Sequence, residues 1–157
     1  MNPITLDTIV TGGQTGADQG AWEAAADLGL EPDGWMPHGF KTEAGPMPGF
    51  AVLYNAREHA SEDYAVRTAA NAAIADAVVV FAEKTASSGT LAARREARAQ
   101  GIPFALNPRP DQLEALLRDH AVGRLMVGGN RESKVPGIQA RVRAYLVSAL
   151  RPLLQDR

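Results

Sequence analysis

Apolar and polar positions along the chain change their period several times, and the changes mark alternating strands and helices. Thr5 to Val10 is short, partly β-branched and followed by the pair Gly12-Gly13, the pattern of a strand. From Ala17 the period becomes helical. Ala17, Ala21, Ala24, Ala25 and Leu28 share one face, and Gly29 supplies the stop. Leu30 to Phe50 is dense in glycine and proline and reads as mostly loop, with a short strand near Gly34 to Met36. Ser61 is the expected N-cap of an Ala-rich helix running to about Ile74, with Glu62 and Asp63 in its first turn, where the helix dipole favours carboxylates. Ala77 to Ala82 is a continuous apolar run, as expected of a strand in the middle of a parallel sheet covered on both faces. A helix over Thr90 to Gln100, a strand over Ile102 to Leu106 with Pro103 at its start, and a helix from Pro110 to about His120 follow. Arg124 to Val127 reads as another strand. Pro136 opens a last helix with an apolar stripe at Ile138, Val142, Tyr145, Leu146, Ala149 and Leu153.

This alternation predicts an α/β fold: one Rossmann-like three-layer αβα sandwich with a mainly parallel sheet of about five strands. A length of 157 residues fits one domain over the whole chain. No apolar run approaches the roughly 20 residues of a membrane helix, and Met1 to Val10 lacks the pattern of a secretory signal. The absence of cysteine excludes a disulfide scaffold, a thiolate metal site and a cysteine nucleophile, and fits a cytoplasmic protein. Sixteen basic against 18 acidic residues, a net charge of -2, give no reason to expect nonspecific nucleic-acid binding.

In such folds ligands bind beyond the carboxyl ends of the strands, and the unusual residues fall in those loops. The first is Gly12-Gly13-Gln14-Thr15-Gly16 with Asp18. Its glycines allow close backbone approach, and a helix N-terminus follows that would favour a phosphate or pyrophosphate. The spacing is neither the dinucleotide fingerprint nor a P-loop, and a tight turn without ligand is the plainer alternative. The second is Ser88-Gly89-Thr90, whose hydroxyls would hold an anion or simply cap a helix. The third is Gly128-Gly129-Asn130-Arg131-Glu132-Ser133-Lys134-Val135-Pro136-Gly137. Arg131 and Lys134 would neutralise phosphate, and the alternative is a solvated loop with internal salt bridges. The fourth is a lid-like loop with Lys41 and Glu43 as contact candidates. Arg67 and Asn71 share a helix face with Asp63 and Tyr64, and either line the site or tie the helix to neighbouring loops. His38, His59 and His120 lack metal-ligand spacing, so no metal site is expected. No catalytic triad, nucleophile elbow or H-E-x-x-H motif is present.

Taken together these segments resemble the molybdenum carrier family, the molybdenum-cofactor carrier-like proteins. That family sits in a Rossmann-like group with the lysine-decarboxylase-like phosphoribohydrolases. The matching pieces are Thr11 to Asp18, Gly34-Trp35-Met36-Pro37 through Gly39, and Glu43 with Gly45-Pro46. They continue with Asp63-Tyr64, Arg67-Thr68 and Asn71, then Ser88-Gly89-Thr90, and last Asn130 through Ile138. The resemblance implies a Rossmann-like homo-oligomer with a pocket for the phosphate-bearing pterin of molybdenum cofactor or a nucleotide-like ligand. Molybdoenzymes or cofactor-insertion proteins would be its partners. Gly12, Gly13, Thr15 and Gly16 would cradle the anion, Ser88 to Thr90 would hold the facing side, and Asn130 to Lys134 would close it. Two departures stand out. Ser88 replaces a second glycine, and Ala93 occupies the position of the catalytic Glu of the phosphoribohydrolases. A non-catalytic carrier is therefore the leading expectation. A nucleotide hydrolase using Glu132 or Glu43, and a nucleotide sensor, are the alternatives.

Overall fold

The computed structural model describes residues 1–155 and 157. Six strands form one sheet: β1 (Thr8–Val10), β2 (Glu31–Met36), β3 (Ala56–Glu58), β4 (Ala77–Phe81), β5 (Phe104–Leu106) and β6 (Arg124–Gly129). Every pairing is parallel, in the order β3-β2-β1-β6-β4-β5. The helices are α1 (Ala17–Leu28), α2 (Phe50–Leu53), α3 (Tyr64–Ala73), α4 (Ser88–Gln100), α5 (Pro110–Asp119) and α6 (Ile138–Gln155), with a single 3-10 turn at His38–Phe40. Among the described residues no helix is long and apolar enough to cross a membrane.

β6 comes last in the chain but lies at the centre of the sheet. Counted from β6 as first, the strand order reads 4-3-2-1-5-6. The sheet therefore winds outward from β6 in one direction and then in the other, a doubly wound pattern whose crevice opens at the centre. Crossovers of one hand put helices that step in opposite directions on opposite faces. Accordingly α1, α5 and α6 pack on one face and α3 and α4 on the other.

β4 shows why the sheet needs both layers. All five of its residues are buried. Val79 and Phe81 join the core beneath α1, α5 and α6, whereas Val78 and Val80 join Ala93 and Ala97 of α4 on the opposite face. Side chains alternate across a strand, so one apolar run serves two cores. Trp22 of α1 is fully buried, stacks on Tyr54 at 5.1 Å and donates its indole N–H to the Asp33 carbonyl at 3.0 Å. Burial of a polar tip of this kind is tolerable only with such a partner.

Several boundaries differ from the pattern-based expectation. The sheet has six strands rather than about five, because Ala56–Glu58 forms a short edge strand whose Arg57 and Glu58 are exposed. Three residues with two charges carry no apolar alternation to read. β2 begins at Glu31, inside the stretch expected to be mostly loop. Its Pro32 is tolerated because β3 pairs only from Gly34 onward, which leaves that flank of Pro32 without a ladder to break. The N-cap of α3 is Asp63, which accepts from the Ala65 N–H at 2.8 Å, and not Ser61, whose hydroxyl instead accepts from the Asp63 N–H at 3.0 Å. Likewise Ser87 caps α4, accepting from the Thr90 N–H at 3.3 Å.

Gly34 carries the closest backbone approach between β2 and the loop after β1. Its φ is 146°, and a Cβ there would lie 1.9 Å from the Thr11 carbonyl oxygen. Gly34→Ala is expected to cost about 2–3 kcal/mol and lower Tm by roughly 4–12 °C. Gly49→Ala, at a helical φ of -61° with open space around it, should leave Tm within about 2 °C. Thermal melts of both variants check this, and equal melting temperatures would contradict it.

Candidate functional site

A cleft of about 650 Å³ opens beyond the carboxyl ends of β1, β6 and β4, between α3 and α4. It lies where the sheet switches winding direction, the place at which open α/β sheets bind ligands. Its walls bring together Gly12, Gln14 and Asp18 from the first loop, Ser88 and Gly89 from the second, and Asn130, Arg131 and Lys134 from the third. Arg67 of α3 lines it as well. Residues scattered over more than a hundred positions in the chain thus face one space.

Arg67 is the structural centre of the cleft. It is 8% exposed and lies directly across the backbone of Gly12, where a Cβ would meet its Nη1 at 1.3 Å. Gly12 therefore has no side chain because an arginine occupies that position. Arg67 Nη1 donates to Asp18 Oδ2 at 3.3 Å, and the Gln14 N–H donates to the same oxygen at 3.2 Å. Burial raises the pKa of the Asp18 carboxyl, and the Arg67 charge offsets that only in part. Two donors on these walls are buried without any acceptor: Arg67 Nε and Gln14 Nε2. An unpaired buried N–H costs about 1–3 kcal/mol, so such pairs of orphans are rare without a reason.

The remaining glycines of the first loop answer to chain packing. At Gly16 (φ 85°) a Cβ would lie 2.3 Å from the Asn130 carbonyl oxygen, so the first and third loops touch backbone to backbone. The carboxylates hold these loops together. Glu43 accepts from the Thr15 hydroxyl, from the Ser133 hydroxyl and from the Ser133 N–H, and so joins the lid to both loops. Partial burial works against its ionisation, but the hydroxyls of Ser133 and Thr15 and the charge of Arg131 outweigh that and hold its pKa below the ordinary value of 4.5. The Gln14 side-chain oxygen accepts from Thr15 N and Glu43 N at 3.0 and 2.9 Å. Glu132 caps α6, accepting from Gly137 N at 2.6 Å and Gln139 N at 3.0 Å.

Asn130 and Asn71 are likewise engaged with backbone. Asn130 accepts from the Glu83 and Lys84 N–H groups, both at 2.9 Å, and so shapes the loop that leads to α4. Asn71 is fully buried and pairs both of its side-chain ends with Trp35 backbone, at 2.7 and 3.1 Å. Thr90 is buried and shares a hydrogen bond with the Ser87 hydroxyl at 2.9 Å. Lys41 is not one of the lining residues, but its Nζ lies 4.6 Å from the ring centroid of Tyr64, which is.

Sequence pattern missed one part of the wall. Arg95 lines the cleft from α4, seven positions beyond Ser88 and so on the same helical face, which was the available signal. Gly128 and Gly129, which open the third loop of the sequence pattern, line it as the last two residues of β6. A Cβ at Gly129 would lie 2.0 Å from the Phe81 carbonyl oxygen, which explains the glycine where β6 meets β4. Among the described residues no group of three or more His, Asp or Glu side chains is placed to hold a metal ion.

The fold and the cleft define a Rossmann-like α/β protein with a crevice at the switch point of a circularly permuted sheet. Residues 9–150 match the family described as circularly permutated YpsA SLOG, and the chain belongs to that family. The crystal structure of a "putative molybdenum carrier protein" from Syntrophus aciditrophicus SB superimposes with a TM-score of 0.82 at 24% identity. The match covers 95% of this chain and 96% of that one, and it shows a shared fold. No curated protein matches the chain.

Removing Arg67 would leave Asp18 buried without its counter-charge. Arg67→Met is therefore expected to destabilise the fold by about 3 kcal/mol at pH 7, and Asp18→Asn in the same chain should restore much of that loss. The folded pKa of Asp18, already raised, would rise further. The unfolded chain ionises freely above pH 3.8, so the deficit is greatest at neutral pH and shrinks on acidification toward the folded pKa. Urea denaturation of the three proteins at pH 7 and pH 5 checks this. A deficit that grows on acidification would contradict it.

Proposed function

We propose that the protein is a cytoplasmic carrier that holds a phosphate-bearing small molecule, molybdenum cofactor, as cargo in the cleft at the ends of β1, β6 and β4. The observation that carries this reading is the charge inventory of the cleft. Among the described residues Arg67, Arg95, Arg131 and Lys134 line it against only two carboxylates, Asp18 and Asp63. Both carboxylates are already engaged, Asp18 with Arg67 and Gln14 and Asp63 as the cap of α3. The surplus is positive and faces a low-dielectric crevice, which suits an anion. The orphaned N–H groups of Arg67 and Gln14 add donors without acceptors on the same walls. A volume of about 650 Å³ lies within the range of small-molecule sites, roughly 300–1,000 Å³.

The choice of molybdenum cofactor over another phosphate ester rests on the motif resemblance and on the name of the structural neighbour. A carrier is preferred to a nucleotide hydrolase because of where the carboxylates are used. Glu132 caps a helix, Glu43 ties loops together, and Ala93 presents a methyl group to the cleft where the hydrolase pattern needs a glutamate. Hydrolysis of a glycosidic bond needs a positioned acid or base. Delivery to molybdoenzymes or insertion proteins would complete the role.

Native mass spectrometry of the natively purified protein, with elemental analysis for molybdenum, tests the reading. Near-stoichiometric molybdenum with a pterin mass is the expected result. A copurified nucleotide without molybdenum or pterin, or an empty protein that takes up no added cofactor, would overturn it.

A further inference from the structure

The mouth of the cleft contains a group of charges that one phosphate does not use up. Three cations from three different segments gather around the Tyr64 ring: Lys41 of the lid with Nζ at 4.6 Å from its centroid, Arg131 of the third loop with Cζ at 5.0 Å, and Arg67 with Cζ at 5.6 Å. No two of these can be much farther apart than about one Debye length, roughly 10 Å at 0.1 M salt, so they repel one another. Arg67 has Asp18 as its counter-charge. Among the described residues neither Lys41 nor Arg131 has a carboxylate within 4.0 Å. Cation–π attraction to one ring positions a cation, but it supplies no negative charge. Tyr64 is therefore a post that holds two cations without a contacting carboxylate beside the deeper Arg67.

We propose that the cleft has two adjacent anion subsites and is built for a diphosphate-bearing ligand: Arg67 with the Gln14 amide serves the inner phosphoryl group, and Lys41 with Arg131, positioned by Tyr64, serves the outer one. The buried, acceptor-free Arg67 Nε and Gln14 Nε2 mark the inner subsite independently of the outer cluster. Arg67 and Gln14 are 8% and 6% exposed as residues, and both line the cleft. The outer subsite is exposed enough to admit a charged group, and Arg131 can bind it in bidentate fashion. The lid is joined to the first and third loops through Glu43, so Lys41 and Arg131 are fixed relative to each other by the chain itself. The inference rests on the anion-binding reading of the cleft and narrows its ligand class to pyrophosphate esters.

Isothermal titration of the full chain with inorganic phosphate and inorganic pyrophosphate, at fixed ionic strength and pH, tests it. Pyrophosphate is expected to bind at least tenfold more tightly than phosphate. Lys41→Met and Arg131→Met should each lower the pyrophosphate-to-phosphate affinity ratio at least threefold. Tyr64→Leu should lower the ratio too, whereas Tyr64→Phe, which keeps the ring, should preserve it. Melting curves establish that each variant is folded. Phosphate binding without a pyrophosphate preference, or a ratio unmoved by K41M and R131M, would overturn the second subsite while leaving the phosphate cleft in place. Binding of neither anion would overturn the cleft reading and this one with it.

Discussion

Arg67 lies across the backbone of Gly12, and the cleft depends on that crossing. The arginine comes from α3, on the face of the sheet covered by α3 and α4. Its guanidinium reaches over the end of β1 to Asp18 at the start of α1, whose helix packs on the opposite face. One buried ion pair therefore links the two helical layers where the sheet opens. The pair is costly to desolvate, and its worth as stabilisation is small. Its consequence is positional: a cation is held at the floor of a crevice, with one donor unspent.

Around that floor the carboxylates are spent on structure and the cations are not. Asp18 neutralises Arg67, Asp63 caps α3, Glu132 caps α6, and Glu43 ties the lid to the first and third loops. Each supplies acceptors where the backbone or a hydroxyl needs one. Lys41 and Arg131 face Tyr64 without a carboxylate partner among the described residues. The net result is an electropositive crevice in a chain whose overall charge is -2. Local charge placement, not global composition, makes the site attractive to an anion.

Much of this was legible in the sequence, and what was not has physical causes. The central strand was plain because Ala77 to Phe81 feeds both cores, and the glycine after α1 marked its end. β3 was hidden because an edge strand of three residues with two exposed charges has no pattern. The loops that meet in the cleft were recognisable by their glycines and polar runs, but the purposes of individual side chains were not. Glu132 looked like a site acid because it sits between Arg131 and Lys134, and only the fold shows Gly137 and Gln139 donating to it. Gly12 reads as a ligand-facing glycine from sequence, and the structure adds that Arg67 fills the space its side chain would take. Proximity of this kind, between residues 55 positions apart, leaves no mark on local periodicity.

The most direct test of an anion site organised by Arg67 is a two-dimensional ¹⁵N–¹H NMR titration with inorganic pyrophosphate. The spectra would follow the Arg67 Nε–H resonance together with the backbone amides of Gly12 to Gly16 and Gly128 to Arg131. Saturable movement of the Arg67 Nε–H signal and of both amide sets, with one shared affinity, is the expected result. Shifts confined to other surfaces, such as the α1–α6 groove lined by Arg143 and Arg151, with Arg67 unmoved, would contradict it.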